Sequence, residues 1–372
     1  MSFPPIRPEL AGIAPYGAPQ LDVPVQLNVN ENPYGPSPEC TADIAESVRE
    51  AAATLNRYPD RDFTALRKAL AAYLDSDGGQ GITPDEVWAA NGSNEVMLQL
   101  LQAFGGPGRT AVSFAPTYSM YPEYARDTNT TWVAGRREED FSLDLGHARE
   151  LIAEHRPHVV LLPSPNNPTG TALPPETVGV LCEALAALPD GGGVLVVDEA
   201  YGEFRREGTP SALDLLPTHR NLVVSRTMSK AFALAGARVG YFAAAREICD
   251  AVRVVRLPYH LSAVTQATAL AALRHAPALL GKVDELRKER DETVGWLRDQ
   301  GLQVADSDAN FALFGSFTEV RGGRHAVWQG LLDRGVLIRE TGPEGWLRVS
   351  IGTSAEMTAF KDALTDVMKE VQ

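Results

Sequence analysis

Four side chains that could take part in catalysis each follow a short apolar segment. Lys230 stands a few residues beyond one such segment, and Asp198 lies at the end of another, with Tyr201 three residues later. A third segment leads into the turn sequence SPNNPTG, which contains Asn167. An amine can form a Schiff base with a carbonyl group, a carboxylate can stabilise a neighbouring cation, and an amide or phenol can hydrogen-bond an oxygen.

A pyridoxal 5′-phosphate enzyme needs this set of groups. The amine of Lys230 would form the Schiff base, and Asp198 would keep the pyridine nitrogen protonated, which makes the ring an effective electron sink. Hydrogen-bonding groups such as an amide or a phenol are also needed beside the ring hydroxyl. The alternative interpretation is that Lys230 is a solvated surface lysine, that Asp198 caps a helix and that NNPTG is a simple turn.

The phosphate of such a cofactor needs its own site. Ser93 and Asn94 are predicted to cap a helix, and the backbone N–H groups at a helix start bind anions. The apolar face of this helix is formed by Met97, Leu100, Leu101 and Phe104. Ser229, beside Thr227 in the lysine segment, and Arg238 are further candidates for contacts with the phosphate.

The elements that must position these groups are short apolar runs that alternate with stretches of helical spacing. Five such runs are predicted to be buried parallel strands: residues 87–90, 110–114, 158–163, 194–200 and 221–225. The alternation indicates an α/β fold with a mostly parallel sheet covered by helices on both faces, in which ligands bind at the carboxyl ends of the strands.

The chain is predicted to have three parts: a proline-rich N-terminal arm (1–38), a large cofactor-binding domain (39–257) and a smaller α+β domain (258–372). Arms of this kind often contact a partner subunit. The small domain is expected to begin with a long helical region over about residues 262–300. Short strands are expected to follow at residues 310–315 and 346–352.

Composition narrows the function classes. Among 372 residues, 34 Lys and Arg oppose 48 Asp and Glu, and the net charge of −14 argues against broad contact with nucleic acid or an anionic membrane. The three cysteines have neither disulfide nor zinc spacing, and the histidines complete no metal set. No signal peptide and no membrane-spanning apolar run is evident, so a cytoplasmic protein without a metal is expected.

The motifs GSNE, SPNNPTG, VVDEAY and SRTMSKAFALAGARVGY occur in this order, and together they resemble the fold-type I pyridoxal-phosphate aminotransferases over nearly the whole chain. Within that superfamily, the segments LNVNENPYGP, LNRYPD and LPYHLS are similar to the histidinol-phosphate aminotransferases of histidine biosynthesis. The resemblance implies that Lys230 forms the internal aldimine and then shuttles a proton between the substrate α-carbon and C4′ of the cofactor. It assigns Asn167 and Tyr201 to the ring hydroxyl and Asp198 to the ring nitrogen.

The same resemblance assigns two further tyrosines to the cofactor. Tyr118, in APTYSMYP, matches the aromatic residue that stacks on the ring; the alternative is a half-buried packing tyrosine. Tyr58, in NRYPD, matches the residue that reaches the cofactor phosphate of the neighbouring subunit. The active site would then require a homodimer.

Substrate selection is assigned to a second set of residues. Arg348, on a predicted strand, matches the family residue that binds the substrate anion, and Arg339 lies nearby in sequence; either could instead pair with a surface carboxylate. Tyr16, in the arm, matches a tyrosine at the phosphate end of the substrate, although it could simply pack the arm in place. Asn30 is either a pocket residue or a turn residue.

The resulting hypothesis is transamination of L-histidinol phosphate with 2-oxoglutarate, which gives imidazole-acetol phosphate and L-glutamate. Two alternatives on the same scaffold are an aromatic amino-acid aminotransferase and a pyridoxal-dependent decarboxylase of a phosphorylated amino acid. A transcription regulator with an aminotransferase-like sensor domain is disfavoured, because fewer than about 40 residues precede the predicted sheet, too few for an independent domain.

Overall fold

The computed structural model describes residues 4–189 and 191–371. Residues 1–3 of the predicted arm and residue 372 of the predicted small domain lie outside the described residues. The strands are β1 (Val25–Gln26), β2 (Val87–Ala90), β3 (Thr110–Ala115), β4 (Thr131–Arg136), β5 (Val159–Pro163), β6 (Val194–Asp198), β7 (Leu222–Thr227), β8 (Gly240–Ala244), β9 (Gln303–Val304), β10 (Phe311–Gly315), β11 (Val336–Leu337) and β12 (Leu347–Ser350). The helices are α1 (Pro38–Ala52), α2 (Thr64–Ser76), α3 (Ser93–Phe104), α4 (Tyr121–Asp127), α5 (Leu145–His155), α6 (Pro175–Ala186), α7 (Arg246–Val255), α8 (Ala263–Arg274), α9 (Ala276–Asp299), α10 (Gly323–Asp333) and α11 (Ser354–Val371).

A seven-stranded sheet in the order β2-β8-β7-β6-β5-β3-β4 forms the centre of the molecule. All neighbouring strands from β7 to β4 pair in parallel, whereas β8 is antiparallel to both of its neighbours. Each of the five predicted strands is present. Strands β4 and β8 were not predicted, since β4 lies at a partly exposed edge and β8, GYFAA, is short and rich in alanine.

Burial explains why the central strands could be recognised. Every residue of β5, β6 and β7 is buried, so both faces of the sheet are covered. Strands buried on both faces are continuous apolar runs, and β-branched valines suit the pleated backbone. Because β3, β5, β6 and β7 run in the same direction, the segments that follow them emerge at one edge of the sheet.

A second hydrophobic core lies beside the first. It is built from the three-stranded antiparallel sheet β12-β10-β9 and the C-terminal helices, and the parallel pair β1-β11 joins residues 25–26 to it. The predicted helical region at 262–300 consists of two helices, α8 and α9, which are interrupted at His275. Helix α8 packs on α1 and α2 against the first core, whereas α9 packs in the second core from Val283 onward. The division at residue 257 stays a prediction.

The N-terminal arm lies on the body of the protein. Over residues 4–24 it contains one short 3-10 helix, Pro8–Leu10, and its end is fixed where Asn28 Nδ2 donates to Pro19 O at 2.8 Å. The three cysteines, Cys40, Cys182 and Cys249, are buried and unpaired. None of the helices in the described part of the chain is long and apolar enough to cross a membrane.

Candidate active site

A cavity of about 320 Å³ opens at the carboxyl edge of the central sheet. It lies between this edge, the start of α3, the N-terminal arm and strand β12 of the second core. Fourteen of the fifteen residues selected from the sequence line it: Tyr16, Asn30, Ser93, Asn94, Tyr118, Asn167, Asp198, Tyr201, Thr227, Ser229, Lys230, Arg238, Arg339 and Arg348. The fold therefore brings together groups that are up to about 330 positions apart in the sequence, as expected for loops gathered at one sheet edge.

Lys230 enters the cavity from the turn that follows β7. Its Nζ donates to the carbonyl oxygen of Val29 at 2.9 Å and lies 5.9 Å from the centre of the Tyr201 ring. Burial, together with the positive charge of Arg348, lowers the pKa of Lys230 to about 8. A larger fraction of this amine is therefore uncharged near neutral pH than for a solvated lysine, which makes it a better nucleophile.

Asp198 ends β6 and is only 6% exposed. Its two carboxylate oxygens accept hydrogen bonds at 3.0 Å, one from the Tyr121 hydroxyl and one from the Ser225 hydroxyl. Burial raises the pKa of this carboxyl group, although these hydrogen bonds oppose the change. Within the described ranges, no cationic side chain forms an ion pair with Asp198. A buried carboxylate with only neutral donors would be stabilised by a cation bound in the cavity.

Tyr201 is held by amides on both sides of the cavity. Its hydroxyl accepts from Asn30 Nδ2 at 3.0 Å and lies 3.4 Å from Asn167 Nδ2, and its ring meets Phe311 edge to face. Asn30 is itself fixed by Ser350, whose hydroxyl donates to Asn30 Oδ1 at 2.9 Å. The phenol and the Asn167 amide therefore face the same part of the cavity, as a pair of hydrogen-bonding groups.

The start of α3 differs in detail from the sequence prediction. Ser93 and Asn94 were predicted to cap the helix, but they occupy its first two positions, and the capping residue is Gly92, which makes no side-chain bond. Gly92 has a φ of +87°, which favours glycine. A Cβ atom at Gly240 would lie 2.2 Å from the Ser93 nitrogen, so β8 can approach the helix start only because residue 240 is glycine.

Three polar side chains face this helix start: Thr227 and Ser229 at the end of β7, and Arg238 just before β8. The Ser229 hydroxyl lies 3.0 Å from the Thr227 hydroxyl and 3.4 Å from Arg238 Nη1. A Cβ at Gly92 would lie 2.5 Å from Arg238 Nη2, which places the guanidinium directly against the backbone of the helix start. Hydroxyls, a guanidinium and helix N–H groups that converge in this way form a site for an anion such as phosphate.

The two candidate arginines have different surroundings. Arg348, 7% exposed, donates from Nη2 to Asn28 O at 3.0 Å and from Nη1 to Asn167 Oδ1, and its guanidinium lies 5.1 Å from the centre of the Phe311 ring. Arg339 is half-buried, and its backbone forms a bridge with that of Arg348. No carboxylate pairs with either arginine in the described part of the chain, so the alternative interpretation, a surface ion pair, is not supported for either residue.

Two tyrosines lie at the outer part of the cavity. Tyr118 is half-buried, and its ring lies edge-on to that of Tyr121, with 5.5 Å between the centres. Tyr16 is 50% exposed, and its hydroxyl accepts from the Ser119 hydroxyl at 3.1 Å, which joins the arm to the segment after β3.

Tyr58 is the one selected residue that does not line this cavity. It is 79% exposed, and its ring stacks on that of Tyr259, with 4.5 Å between the ring centres. Two leucines near these tyrosines in the sequence are also exposed. Leu55 precedes Tyr58, and Leu257 precedes Tyr259. The cross-subunit role that the resemblance assigns to Tyr58 stays a prediction.

Several residues of the site were not predicted from the sequence. Tyr121 and Ser225 hold Asp198, and Asn28, Glu31 and Ser119 line the cavity or its mouth. The residue types alone carry no signal for these positions. Ser225 could have been found from its place two residues before Thr227, because alternate residues of a strand face the same side.

The cavity contains the nucleophilic amine of Lys230, the buried carboxylate of Asp198 and the hydrogen-bonding pair Asn167 and Tyr201. It also contains two sites for anions, one at the start of α3 and one at Arg348. This arrangement suits a planar cationic ring that carries a hydroxyl and a phosphate, together with an anionic substrate. No group of three or more potential metal ligands occurs in the described ranges.

Residues 23–364 match the model of the family described as aminotransferase class I and II. The chain belongs to this family. Among curated relatives, the histidinol-phosphate aminotransferase of Thermobifida fusca is 60% identical over 97% of this chain and 94% of its own length. The enzyme of the same name from Bifidobacterium longum is 57% identical, with 99% of this chain and 97% of the relative covered. The resemblance inferred from the motifs and the prediction of an aminotransferase are confirmed.

Solved structures of class I and II aminotransferases share the fold. The histidinol-phosphate aminotransferase of Sinorhizobium meliloti, in complex with pyridoxal-5′-phosphate, matches with a TM-score of 0.86 and 25% identity, covering 100% of this chain and 99% of that chain. A mutant aspartate aminotransferase of Thermus thermophilus matches with a TM-score of 0.80 at 25% identity, with 99% of each chain covered. The predicted fold class is confirmed.

Proposed function

We propose that this protein is a pyridoxal 5′-phosphate-dependent aminotransferase that converts L-histidinol phosphate and 2-oxoglutarate into imidazole-acetol phosphate and L-glutamate in histidine biosynthesis. The observation that carries the proposal is that one cavity contains Lys230, Asp198 and the guanidinium of Arg348, which pairs with no carboxylate in the described part of the chain. The curated relatives at 57–60% identity support this substrate.

The residues present fit the cofactor. The uncompensated carboxylate of Asp198 suits a protonated pyridine nitrogen, and Asn167 with Tyr201 suits the ring hydroxyl. The start of α3 lines the cavity and would hold the phosphate; glycine at residue 240 keeps a side chain away from the Ser93 nitrogen, and Ser229 and Arg238 face the same place. Thr227, Asn94 and Tyr118 would complete the contacts. When bound, pyridoxal phosphate supplies an electron sink for the negative charge that develops at the substrate α-carbon.

The protein's own part in the reaction follows from the geometry. Lys230 would hold the cofactor covalently until the amino group of the substrate replaces it; the freed amine, whose pKa is lowered to about 8 by burial, would then take a proton from the substrate α-carbon and deliver it to C4′ of the cofactor. Asp198 stabilises the positive charge on the ring nitrogen. Burial of both groups strengthens these electrostatic contacts because little water competes with them.

Arg348 serves as the anion site for both substrates. The amino donor carries a phosphate and no carboxylate, whereas the acceptor carries carboxylates, so one site must accept both in turn. A guanidinium fork matches either anion with two parallel hydrogen bonds. Asn28 and Asn167 hold the Arg348 guanidinium in place from two sides, and Phe311 supports its face. Arg339, Tyr16 and Asn30 would complete the substrate contacts.

The active assembly in this proposal is a cytoplasmic homodimer that needs neither nucleic acid nor a membrane. Tyr58 supports the dimer, because it is 79% exposed in one chain and the apolar residues Leu55 and Leu257 are exposed as well. Exposed aromatic side chains that cluster with apolar ones are typical of interfaces. Tyr58 would then reach the cofactor phosphate of the partner subunit.

A comparison of amino donors tests the substrate assignment. With 2-oxoglutarate as the acceptor, we expect kcat/KM for histidinol phosphate to exceed that for phenylalanine or tyrosine by about 10²-fold or more, because a phosphate group can bind Arg339 and Tyr16 together with Arg348, whereas the smaller carboxylate of an amino acid would bind Arg348 without them. Steady-state kinetics with each donor, with release of carbon dioxide measured in parallel, provide the readout. A higher kcat/KM for phenylalanine would assign the chain to the aromatic aminotransferases, and stoichiometric carbon dioxide would indicate a decarboxylase.

Arg348→Gln should weaken both half-reactions. The neutral amide keeps a donor for Asn28 O but loses the charge, so we expect kcat/KM for histidinol phosphate and for 2-oxoglutarate each to fall by about 10- to 10²-fold, equivalent to the loss of a charge-assisted bond of about 1.5–3 kcal/mol. Single-turnover kinetics of each half-reaction give the two values. Arg334→Gln, on the surface at the end of α10, is the matched control and should leave both values unchanged. A loss confined to one substrate would contradict a shared anion site.

A further inference from the structure

A buried charge cluster lies directly behind the residues assigned to the cofactor. At its centre is Arg226, which is fully buried in β7. Its Nε donates to Glu199 Oε2 at 2.8 Å, and its Nη1 lies 2.8 Å from Asp77 Oδ2 and 3.1 Å from Glu203 Oε1. The Nη2 donates to the Ser211 hydroxyl at 3.2 Å. None of these groups lines the cavity, and the reaction proposed above does not use them.

Strand alternation connects this cluster to the active site. Asp198 is paired in register with Ser225 across β6 and β7. Asp198 and Thr227 line the cavity, and the Ser225 hydroxyl points to the Asp198 carboxylate on the same side of the sheet. The residues next to them, Glu199 and Arg226, point to the opposite side. The ion pair between Glu199 and Arg226 therefore joins the two strands immediately behind the carboxylate and the hydroxyl that contact each other in the site.

The turn that carries Tyr201 rests on the same guanidinium. A Cβ atom at Gly202 would lie 2.9 Å from Arg226 Nε and 3.0 Å from its Cζ, so the guanidinium packs directly against the turn backbone. Glu199 is held further by Ser211 and by the Ala212 N–H at 2.7 Å. The segment from residue 198 to residue 202 is thus fixed from behind, while Asp198 and Tyr201 project forward into the cavity.

The electrostatics favour the charged forms of Arg226 and Glu199. Burial alone would lower the pKa of Arg226, but Glu199, Glu203 and Asp77 raise it well above its ordinary value. Burial would raise the pKa of Glu199, but Arg226 and Arg205 lower it. Removing two charges from water costs free energy, and this cost can exceed the attraction between them. A buried ion pair is therefore weak evidence that the pair stabilises the fold. The position of Arg226 behind the active site is better explained if the ion pair holds the neighbouring active-site residues in place.

We propose that Arg226 is a positioning residue that holds Asp198 and Tyr201 in their cofactor-binding geometry through Glu199 and the turn at Gly202. The proposal rests on the cofactor roles assigned above to Asp198 and Tyr201. Arg226 does not itself contact the cavity. Its loss should therefore affect how the cofactor is held and how its ring nitrogen is charged, and not only the stability of the fold.

Arg226→Met tests this directly, since methionine fills much of the same space without the charge or the hydrogen bonds. We expect the dissociation constant of pyridoxal phosphate to rise and kcat to fall by about 10- to 100-fold, the range found when groups that orient the ligands of a metal ion are removed. We also expect a shifted pH midpoint of the visible absorption band of the bound cofactor. Equilibrium dialysis, steady-state kinetics and a spectrophotometric pH titration provide these three measurements on the full chain.

Arg205→Met is the matched control. Arg205 lies 3.1 Å from the same carboxylate oxygen of Glu199 and 3.7 Å from Asp77, and it is also largely buried, but it is not part of β7 and does not support Gly202. We expect this variant to lower the melting temperature while it keeps the wild-type cofactor affinity and pH midpoint. If the melting temperature falls by the same amount in both variants and neither variant changes cofactor binding, Arg226 is only structural and the proposal is wrong.

Arg226→Lys keeps the experiment decisive if the methionine variant does not fold. Lysine retains the charge but cannot reach Glu199, Asp77 and Glu203 together, so we expect a cofactor affinity between those of the wild type and the methionine variant. A wild-type affinity and pH midpoint in Arg226→Lys would overturn the proposal. A wild-type protein that binds no pyridoxal phosphate would instead contradict the proposed function, so the two failures are distinguishable.

Discussion

Lys230→Ala should reduce kcat for transamination by about 10⁴-fold or more and remove the visible absorbance of the bound cofactor. The variant loses both the covalent attachment and the general base, and proton transfer by a positioned base contributes about 10²- to 10⁴-fold alone. The fold should persist, because the hydrogen bond that the Lys230 side chain makes in the described part of the chain is a single bond to Val29 O. Absorption spectra, circular dichroism and steady-state kinetics measure the three effects.

Lys68→Ala is the control for this variant. Lys68 is exposed on α2 and does not line the cavity, so its loss should leave both the spectrum and the kinetics unchanged. An unchanged visible spectrum in Lys230→Ala would contradict the assignment of the covalent site. A Lys230→Ala protein that no longer folds would show that the lysine has a structural role beyond its bond to Val29.

Asp198→Asn should have the second-largest effect. The amide cannot stabilise a protonated pyridine nitrogen, so the ring becomes a weaker electron sink, and kcat should fall by about 10²- to 10³-fold, as when one preorganised electrostatic contact is removed from an active site. Asparagine has nearly the same shape and can still accept from Tyr121 or Ser225, which limits the loss of structure. Steady-state kinetics and the primary isotope effect on removal of the α-proton measure the change.

Asp214→Asn is the matched control, because Asp214 is exposed and lies outside the cavity. We expect its kcat to equal that of the wild type. The isotope effect should increase in Asp198→Asn, since proton removal becomes slower relative to the other steps. A wild-type kcat with an unchanged isotope effect in that variant would mean that Asp198 does not face the ring nitrogen.

Much of the fold could be predicted because the central strands are buried on both faces. Residues 159–163 and 194–198 are uninterrupted apolar runs, and each ends in or leads to a polar residue at the carboxyl edge of the sheet. The same pattern predicts that Asn167, Asp198 and Lys230 lie together, since each follows a parallel strand. Strands β4 and β8 escaped detection because neither has a long β-branched run.

The remaining parts of the site depend on contacts between distant segments. The position of Arg348 depends on Asn28 and Asn167, which are 320 and 181 residues away in sequence, and no local pattern encodes such a contact. The glycine cap at residue 92 was mistaken for a serine cap because Ser93 is a favourable capping residue by type. The glycine is required by its φ of +87° and by the guanidinium of Arg238, which lies against it and comes from a segment about 145 residues later in the chain.

The buried charge cluster around Arg226 shows a different limit. Charged residues in a sequence are ordinarily assigned to the surface, since Arg and Glu are rarely buried unless they are paired. The alternation of Ser225, Arg226 and Thr227 along β7 places one charged residue behind two polar ones, and the pairing with Glu199 becomes visible only once β6 and β7 are neighbours.

The central claim, that Lys230 holds pyridoxal phosphate, is tested most directly by reducing the cofactor-loaded wild-type protein with borohydride and mapping the modified peptide by mass spectrometry. Reduction converts the Schiff base into a stable secondary amine, so the modified lysine can be identified after proteolysis. We expect a single stoichiometric pyridoxyl-phosphate adduct on Lys230, in the segment after β7. An adduct on another lysine, or an unmodified Lys230 peptide in catalytically active enzyme, would contradict the account.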